Sequence, residues 1–92
     1  MSPPRVLIVD NDREMLAMLR RHLEFEGLAV AAATGGREAL DAIAGARYDV
    51  ILTDLIMDDT GGLEVLAPAQ TRAPATRVLL MSAARTLGTA IE

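Results

Sequence analysis

Acidic, amide and hydroxyl side chains stand directly after apolar segments of the chain, where their chemistry can be used. Asp10, Asn11 and Asp12 follow the first apolar segment, Asp54 follows a later one, and Ser82 follows the last. Oxygen donors of this kind bind hard divalent cations such as Mg²⁺. A carboxylate beside such a cation can also take part in phosphoryl transfer. The first question is therefore whether the fold brings these residues together.

Apolar patterning predicts the strands and helices that would position them. Continuous apolar runs predict strands covered on both faces, and three- and four-residue spacing predicts helices. The predicted strands are residues 6–9, 28–33, 50–52 and 78–81, and the predicted helices are 13–26, 37–44 and one that starts at 63 and ends near Pro68. Strands that alternate with helices indicate a single α/β domain with a parallel sheet.

The first helix has the clearest pattern. Its apolar side chains fall on one side at about 100° per residue, so we expect them to pack on the sheet. They are Met15, Leu16, Leu19 and Leu23, with Met18 and Phe25 beside them. His22 falls within the same arc, and we expect it to be a half-buried packing residue. Asp12 is well placed as the N-cap and Gly27 as the C-terminal stop.

The ends of the predicted strands converge on one edge of the sheet. In open parallel sheets the functional site lies beyond the carboxyl ends of the strands, which brings Asp10, Asp54 and Ser82 together. Two carboxylates about 4 Å apart repel by roughly 4 kcal/mol at an effective dielectric near 20. A divalent cation would relieve this repulsion, as would a retained proton. For Asp12 a purely structural role as a helix cap is equally compatible with the sequence.

Composition excludes several classes of function. The formal charge of −4 and the pI of about 4.9 argue against a general nucleic-acid surface. All nine basic residues are Arg, and there is no Lys. The absence of Cys excludes disulfides and thiolate metal sites. No apolar run has the length of a signal peptide or a membrane span, so we expect a cytoplasmic protein with no membrane partner.

Three segments together resemble one known family. They read "VLIVDND", "YDVILTDLIMDDTGGLEVL" and "RVLLMSA", and their order and spacing resemble the receiver domain of bacterial two-component response regulators. The final "ARTLGTAIE" is most similar to receivers of nitrogen-regulation-type activators. The resemblance implies a flavodoxin-like α/β sheet with strand order 2-1-3-4-5. It also implies an aspartate that accepts a phosphoryl group from a histidine kinase.

The resemblance assigns a role to each candidate residue. Asp54 matches the phospho-acceptor, and Ser82 matches the hydroxyl that contacts the phosphoryl group. The resemblance also implies a Mg²⁺ site. Its ligands would be the side chains of Asp10, Asn11 and Asp54 and the backbone carbonyl of Ile56, with Asp12 as an additional candidate.

Two departures from the family pattern generate expectations. Asn11 replaces a carboxylate ligand and brings no charge, so we expect Mg²⁺ binding to be about tenfold weaker, or some 1.4 kcal/mol. The family's fifth strand, last helix and phosphoryl-contacting Lys would lie beyond residue 92. We therefore expect residues 1–92 to be a receiver domain incomplete at its C-terminus. The exposed edge of strand 78–81 would then favour self-association.

Two other functions remain open. The first is a pseudo-receiver or adaptor, which keeps the fold but binds partners without being phosphorylated; Asn11 and the absent Lys favour it. The second is a Mg²⁺-dependent phosphatase of the haloacid-dehalogenase type, whose D-x-D-x-[TV] motif is partly matched by "DNDRE". Position 14 is Glu, however, and 92 residues are too few for that enzyme core.

Overall fold

The four predicted strands and the first two predicted helices are present in the computed structural model, which describes residues 2–54 and 76–81. Within these residues every boundary lies within two positions of the prediction. The elements are β1 (Arg5–Val9), α1 (Arg13–Phe25), β2 (Ala29–Ala33), α2 (Gly36–Gly45), β3 (Val50–Asp54) and β4 (Arg77–Met81). The helix predicted to start at residue 63 lies outside the described residues.

The four strands form one parallel sheet in the order β2-β1-β3-β4. This order confirms the flavodoxin-like α/β fold and the predicted 2-1-3-4 arrangement. β1 and β3 occupy the centre, which agrees with their continuous apolar sequences, because a central strand of a covered sheet is buried on both faces. None of the helices in the described part of the chain has the length and apolar character needed to cross a membrane.

The two faces of the sheet carry separate hydrophobic clusters, because successive side chains of a strand point to opposite faces. The cluster on the α2 face consists of Leu7, Val9, Ala33, Ala39, Ile43, Tyr48 and Ile51. On the α1 face the buried residues are Val6, Ile8 and Leu16. Partly buried side chains surround this second trio, among them Leu23, Val50 and Leu52.

α1 buries less of its apolar arc than the sequence predicted. Leu16 is the buried residue of the helix, and Leu19 and Leu23 pack against it as partly buried neighbours. The expectation that Met15 and Met18 pack on the sheet is wrong, since they are 39% and 46% exposed. The apolar arc of α1 is wider than the part of the helix that contacts the strands.

The side of this arc that carries His22 and Phe25 is also exposed. Phe25 is 88% exposed, and His22 is exposed instead of half-buried as predicted. Gly27 ends the helix as expected, with a φ of 91° that favours glycine. Helical periodicity therefore identified the apolar arc correctly but did not determine which half of it meets the sheet.

The amino ends of the strands are tied together at Asp49, a residue to which the sequence analysis assigned no role. The backbone N–H of Arg5 donates to the Asp49 carboxylate at 2.8 Å, and the Asp49 N–H donates to the Arg5 carbonyl at 2.8 Å. The Arg77 N–H donates to the Asp49 carbonyl at 3.0 Å. These bonds fix β1, β3 and β4 in register, and with them the opposite ends of the strands.

Candidate functional site

Strand register places Asp10 and Asp54 side by side. The last paired residues of β1 and β3 are Val9 and Thr53, so the two aspartates follow at the same height on neighbouring strands. Alternation along each strand also places both on the α1 face. Neighbouring strands lie about 4.8 Å apart. The edge of the sheet at Asp10 and Asp54, called here the carboxyl edge, therefore carries two adjacent carboxylates, as the sequence predicted.

Asp10 is half-buried and held in place by hydrogen bonds on both sides. Its backbone N–H continues the sheet by donating to the Ala33 carbonyl at 3.1 Å. Its carboxylate accepts a hydrogen bond from the Asp12 N–H at 2.9 Å. Burial raises the pKa of Asp10 above its ordinary value. The Asp12 N–H opposes this rise, whereas the negative charges of Asp54 and Asp12 add to it.

Asp12 is the N-cap of α1, which confirms the structural interpretation of this residue. Its Oδ1 accepts hydrogen bonds from the backbone N–H groups of Glu14 and Met15, at 3.0 and 3.2 Å. Its own backbone is extended, as is typical of an N-cap residue. The cap places the N-terminus of α1 beside Asp10, where the partial positive charge of a helix N-terminus favours negative groups.

Asn11 lies between these two aspartates and is exposed. Asp10 and Asp12 are linked by the hydrogen bond over their shared turn, so Asn11 occupies the apex of that turn. The amide is thus at the carboxyl edge, in solvent, where its oxygen is accessible to a cation.

Asp54 is the last residue of β3 and is half-buried. The buried Thr53 hydroxyl donates to the Asp54 carbonyl at 3.1 Å, which helps to fix the end of the strand. In the β3–β4 register Asp54 is the partner of Met81, the residue before Ser82. Ser82 itself and Ile56 lie outside the described residues.

The donor set at the carboxyl edge suits a hard divalent cation. Two carboxylates and one amide supply only oxygen, which Mg²⁺ and Ca²⁺ prefer over the nitrogen and sulfur ligands typical of Zn²⁺. In residues 2–54 and 76–81, no group of three or more His, Asp or Glu side chains could hold a metal ion. A cation here would therefore need further oxygen ligands, such as water or backbone carbonyls, and Mg²⁺ commonly retains several waters.

Comparison with known proteins agrees with this geometry. The family model described as response regulator receiver domain matches residues 6–92. Response regulator MprA of Mycolicibacterium vanbaalenii is 41% identical over 81 residues, which are 88% of this chain and 35% of that protein. The chain thus spans about a third of the length of this curated relative.

Two solved structures with the same fold were determined with ligands. The response regulator TrrA of Thermotoga maritima, in complex with Mg(2+)-BeF, is 28% identical with a TM-score of 0.80, over 89% of this chain and 70% of that one. A response regulator from Burkholderia pseudomallei, with a phosphorylated aspartic acid and a calcium ion, is 29% identical with a TM-score of 0.81. The match covers 86% of this chain and 46% of that one.

Proposed function

The chain belongs to the response regulator receiver domain family, and on this premise we propose that it is a phospho-accepting receiver. Receiver domains are signalling domains that take phosphoryl groups from histidine kinases. Asp54 is the proposed acceptor in this chain, and residues 1–92 are proposed to belong to one receiver domain. The observation that carries the proposal is the pair of adjacent carboxylates, Asp10 and Asp54, at the carboxyl edge.

The proposed reaction is an in-line transfer. One carboxylate oxygen of Asp54 attacks the phosphorus of the kinase's phosphohistidine, forming an O–P bond while the N–P bond to the imidazole breaks. Asp54 is suited to this role because its strand end is fixed by pairing with β1 and β4, and positioning supplies much of the catalysis in phosphoryl transfer. The Ser82 hydroxyl is proposed to contact the transferred group.

The proposed cofactor is Mg²⁺. Its proposed ligands are the side chains of Asp10, Asn11 and Asp54 and the backbone carbonyl of Ile56. When bound, it would neutralise charge on the carboxylates and the phosphoryl oxygens. Asp12 is a weaker candidate ligand, because its Oδ1 already caps α1. The divalent cations named for the two solved relatives support a divalent site in this family.

Phosphorylation of Asp54 can be tested directly. The chain is incubated with acetyl phosphate and Mg²⁺, and intact mass is measured with and without the substitution Asp54→Ala. We expect the mass of one phosphoryl group to be added to the wild type and not to Asp54→Ala. Asp41→Asn is the matched control, because Asp41 is an exposed acid on α2, and it should be labelled like the wild type. Equal labelling of Asp54→Ala would refute the proposal.

The contribution of Asn11 is tested by restoring a carboxylate. Because an amide brings no charge to the cation, Asn11→Asp should bind Mg²⁺ about tenfold more tightly, or some 1.4 kcal/mol. Binding is measured by calorimetric titration. Asn11→Ser is the control that removes the amide without adding charge, and it should bind no more tightly than the wild type. Equal affinities of the wild type and Asn11→Asp would contradict a ligand role.

A pseudo-receiver or adaptor is the second candidate, and Asn11 is the residue that favours it. An unlabelled wild type in the acetyl phosphate experiment, combined with normal folding, would support this function over the first. The similarity to nitrogen-regulation-type receivers and self-association through the edge of β4 stay predictions.

A further inference from the structure

β2 lies at one edge of the described sheet, and its own sequence carries none of the features that usually protect an edge strand. Among the described strands it pairs with β1 alone. The segment 28–34 contains no charged residue, no Pro and no Gly, and its five pairs with β1 follow one another without a bulge. Such an edge is a template for pairing with another strand unless a group from elsewhere covers it.

The outward-facing backbone groups of β2 belong to Val30 and Ala32. The Ala29 N–H donates to the Pro4 carbonyl at 2.9 Å, so the backbone of Ala29 faces β1. Hydrogen-bonding directions alternate along a strand of a sheet, and the backbone groups of Val30 and Ala32 therefore face away from β1. These are the groups to which a further strand would have to bond.

The side chain of Arg20 on α1 occupies this edge. Its Nη2 donates to the Val30 carbonyl at 3.3 Å, and its Nε donates to the Glu24 carboxylate at 3.3 Å. The planar guanidinium presents both donors in a fixed geometry, so the contact with Glu24 orients the group that reaches the strand. An outward-facing carbonyl of β2 is thus bonded by a side chain that carries a positive charge.

We propose that the Arg20 guanidinium blocks strand addition at β2 by a second copy of this chain. A second copy supplies the same uncharged segment 28–34, which can pair with itself across the edge. Pairing requires displacement of the guanidinium from Val30 in both copies, and it brings two like charges towards each other, which repel. Charged side chains protect edge strands in this way. Here the charge comes from the neighbouring helix and not from the strand.

Removal of the guanidinium tests the proposal. Arg20→Ala should associate at about a tenth of the protein concentration that the wild type requires, because neither copy then obstructs the edge. Sedimentation equilibrium up to roughly 1 mM protein measures this. Arg21→Ala is the matched control, since Arg21 is exposed on the same helix and its loss changes the net charge equally; it should associate like the wild type. Association through any other surface, including the edge of β4, would be equal in the two variants.

A proline at the edge localises the association. Ala32→Pro removes an outward-facing N–H and no bond to β1, a position at which an edge strand tolerates Pro. In the Arg20→Ala background it should return association to the wild-type level, and circular dichroism confirms that each variant is folded.

Hydrogen exchange gives a second measurement that does not depend on the Pro variant. The Val30 and Ala32 amides of associated Arg20→Ala should exchange about tenfold more slowly than those of the monomer. An Arg20→Ala variant that associates no more strongly than Arg21→Ala would overturn the proposal. So would association that leaves the Val30 and Ala32 amides unprotected, or that persists in a folded variant carrying Ala32→Pro.

Discussion

The two faces of the sheet are sealed to different extents, although they share the same strands. On the α2 face the strand residues Leu7, Val9 and Ile51 are fully or almost fully buried. On the α1 face Val6 and Ile8 are buried, but Val50 and Leu52 of β3 are half-exposed and Leu79 of β4 is 54% exposed. The α1 face is therefore closed over β1 and becomes progressively more open towards β4.

This difference shows that burial in the sheet depends on helix position as well as strand sequence. β3 has a continuous apolar sequence, yet Val50 and Leu52 on the α1 face are more exposed than Ile51 on the α2 face. The reason is that α1 lies over β1 and β2 and not over β3 and β4. The candidate site lies on the more open face, since Asp10 and Asp54 share the orientation of Val6 and Val50. Within the described residues, the site therefore shares the face on which Val50, Leu52 and Leu79 are partly or largely exposed.

The largest expected effect is that of Leu7→Ala on the closed face. Leu7 is fully buried, so truncation leaves a cavity and should lower the free energy of unfolding by about 3 kcal/mol. Leu52→Ala is the matched substitution on the open face, and it should cost about half as much because Leu52 is already partly solvated. Urea denaturation measures both values. Equal losses would show that the faces are equivalent in energy.

Leu79→Ala serves as the control for that pair. Leu79 is more than half exposed, and the substitution should change stability by no more than about 0.5 kcal/mol. A loss comparable to that of Leu7→Ala would mean that Leu79 is covered in solution. That result would contradict the exposure of the α1 face at β4.

The sequence predicted the two faces unequally well, for a physical reason. The continuous apolar runs of β1 and β3 were enough to predict the strands, and their alternation with helices predicted the convergence of Asp10 with Asp54. The order of the strands came from the family resemblance. The exposure of Met18 and Phe25 was not predictable, because helical periodicity gives the orientation of residues relative to each other and not relative to the sheet. The role of Asp49 was also missed, because nothing in the sequence distinguishes an acid before a strand that stays in solvent from one whose carboxylate accepts a backbone N–H of the neighbouring strand.

The second expected effect concerns how the two helices begin. α1 begins at Asp12 with two side-chain hydrogen bonds, whereas α2 begins at Gly35 with none. Asp12→Ala should therefore cost about 1 kcal/mol. Asp12→Asn keeps an acceptor oxygen and should cost much less. Thermal unfolding followed by circular dichroism measures both, and an Asp12→Ala variant as stable as the wild type would show that the cap contributes nothing.

The third effect is a pH dependence located on the open face. Burial raises the pKa of Asp10 in the folded chain, so folding favours its protonated form, and ionisation of this group costs stability. That cost is absent well below the ordinary pKa of 3.8 and appears as pH rises through the raised value. Asp10→Asn should thus be more stable than the wild type at neutral pH. The difference should vanish as pH falls well below 3.8.

This pH effect is measured by denaturation in the absence of divalent cations. The substitution is conservative, because the Asn oxygen can still accept the hydrogen bond from the Asp12 N–H. We expect the difference to be smaller than the effect of the cap, since Asp10 is only half-buried. A stability difference that stays constant from acid to neutral pH would contradict ionisation of Asp10 as its cause.

The smallest expected effect is that of the ion pair on the outer side of α1. Arg20 donates to Glu24 at 3.3 Å, with side chains 50% and 51% exposed, and also to the Val30 carbonyl of β2 at 3.3 Å. Exposed pairs contribute little, because water screens the charges and ordering long side chains costs entropy. Arg20→Ala should therefore lower stability by no more than about 0.5 kcal/mol.

A double-substitution cycle separates the two contacts of Arg20. Glu24→Gln removes the charge of the partner but leaves the Val30 carbonyl in place, so Arg20→Ala in that background reports the bond to β2 alone. We expect the coupling between positions 20 and 24 to be a few tenths of a kcal/mol and to fall with added salt. A coupling above about 1 kcal/mol would mean that the pair is desolvated in solution. The contact of Arg20 with β2 would then contribute to covering the α1 face, in addition to the apolar side chains of α1.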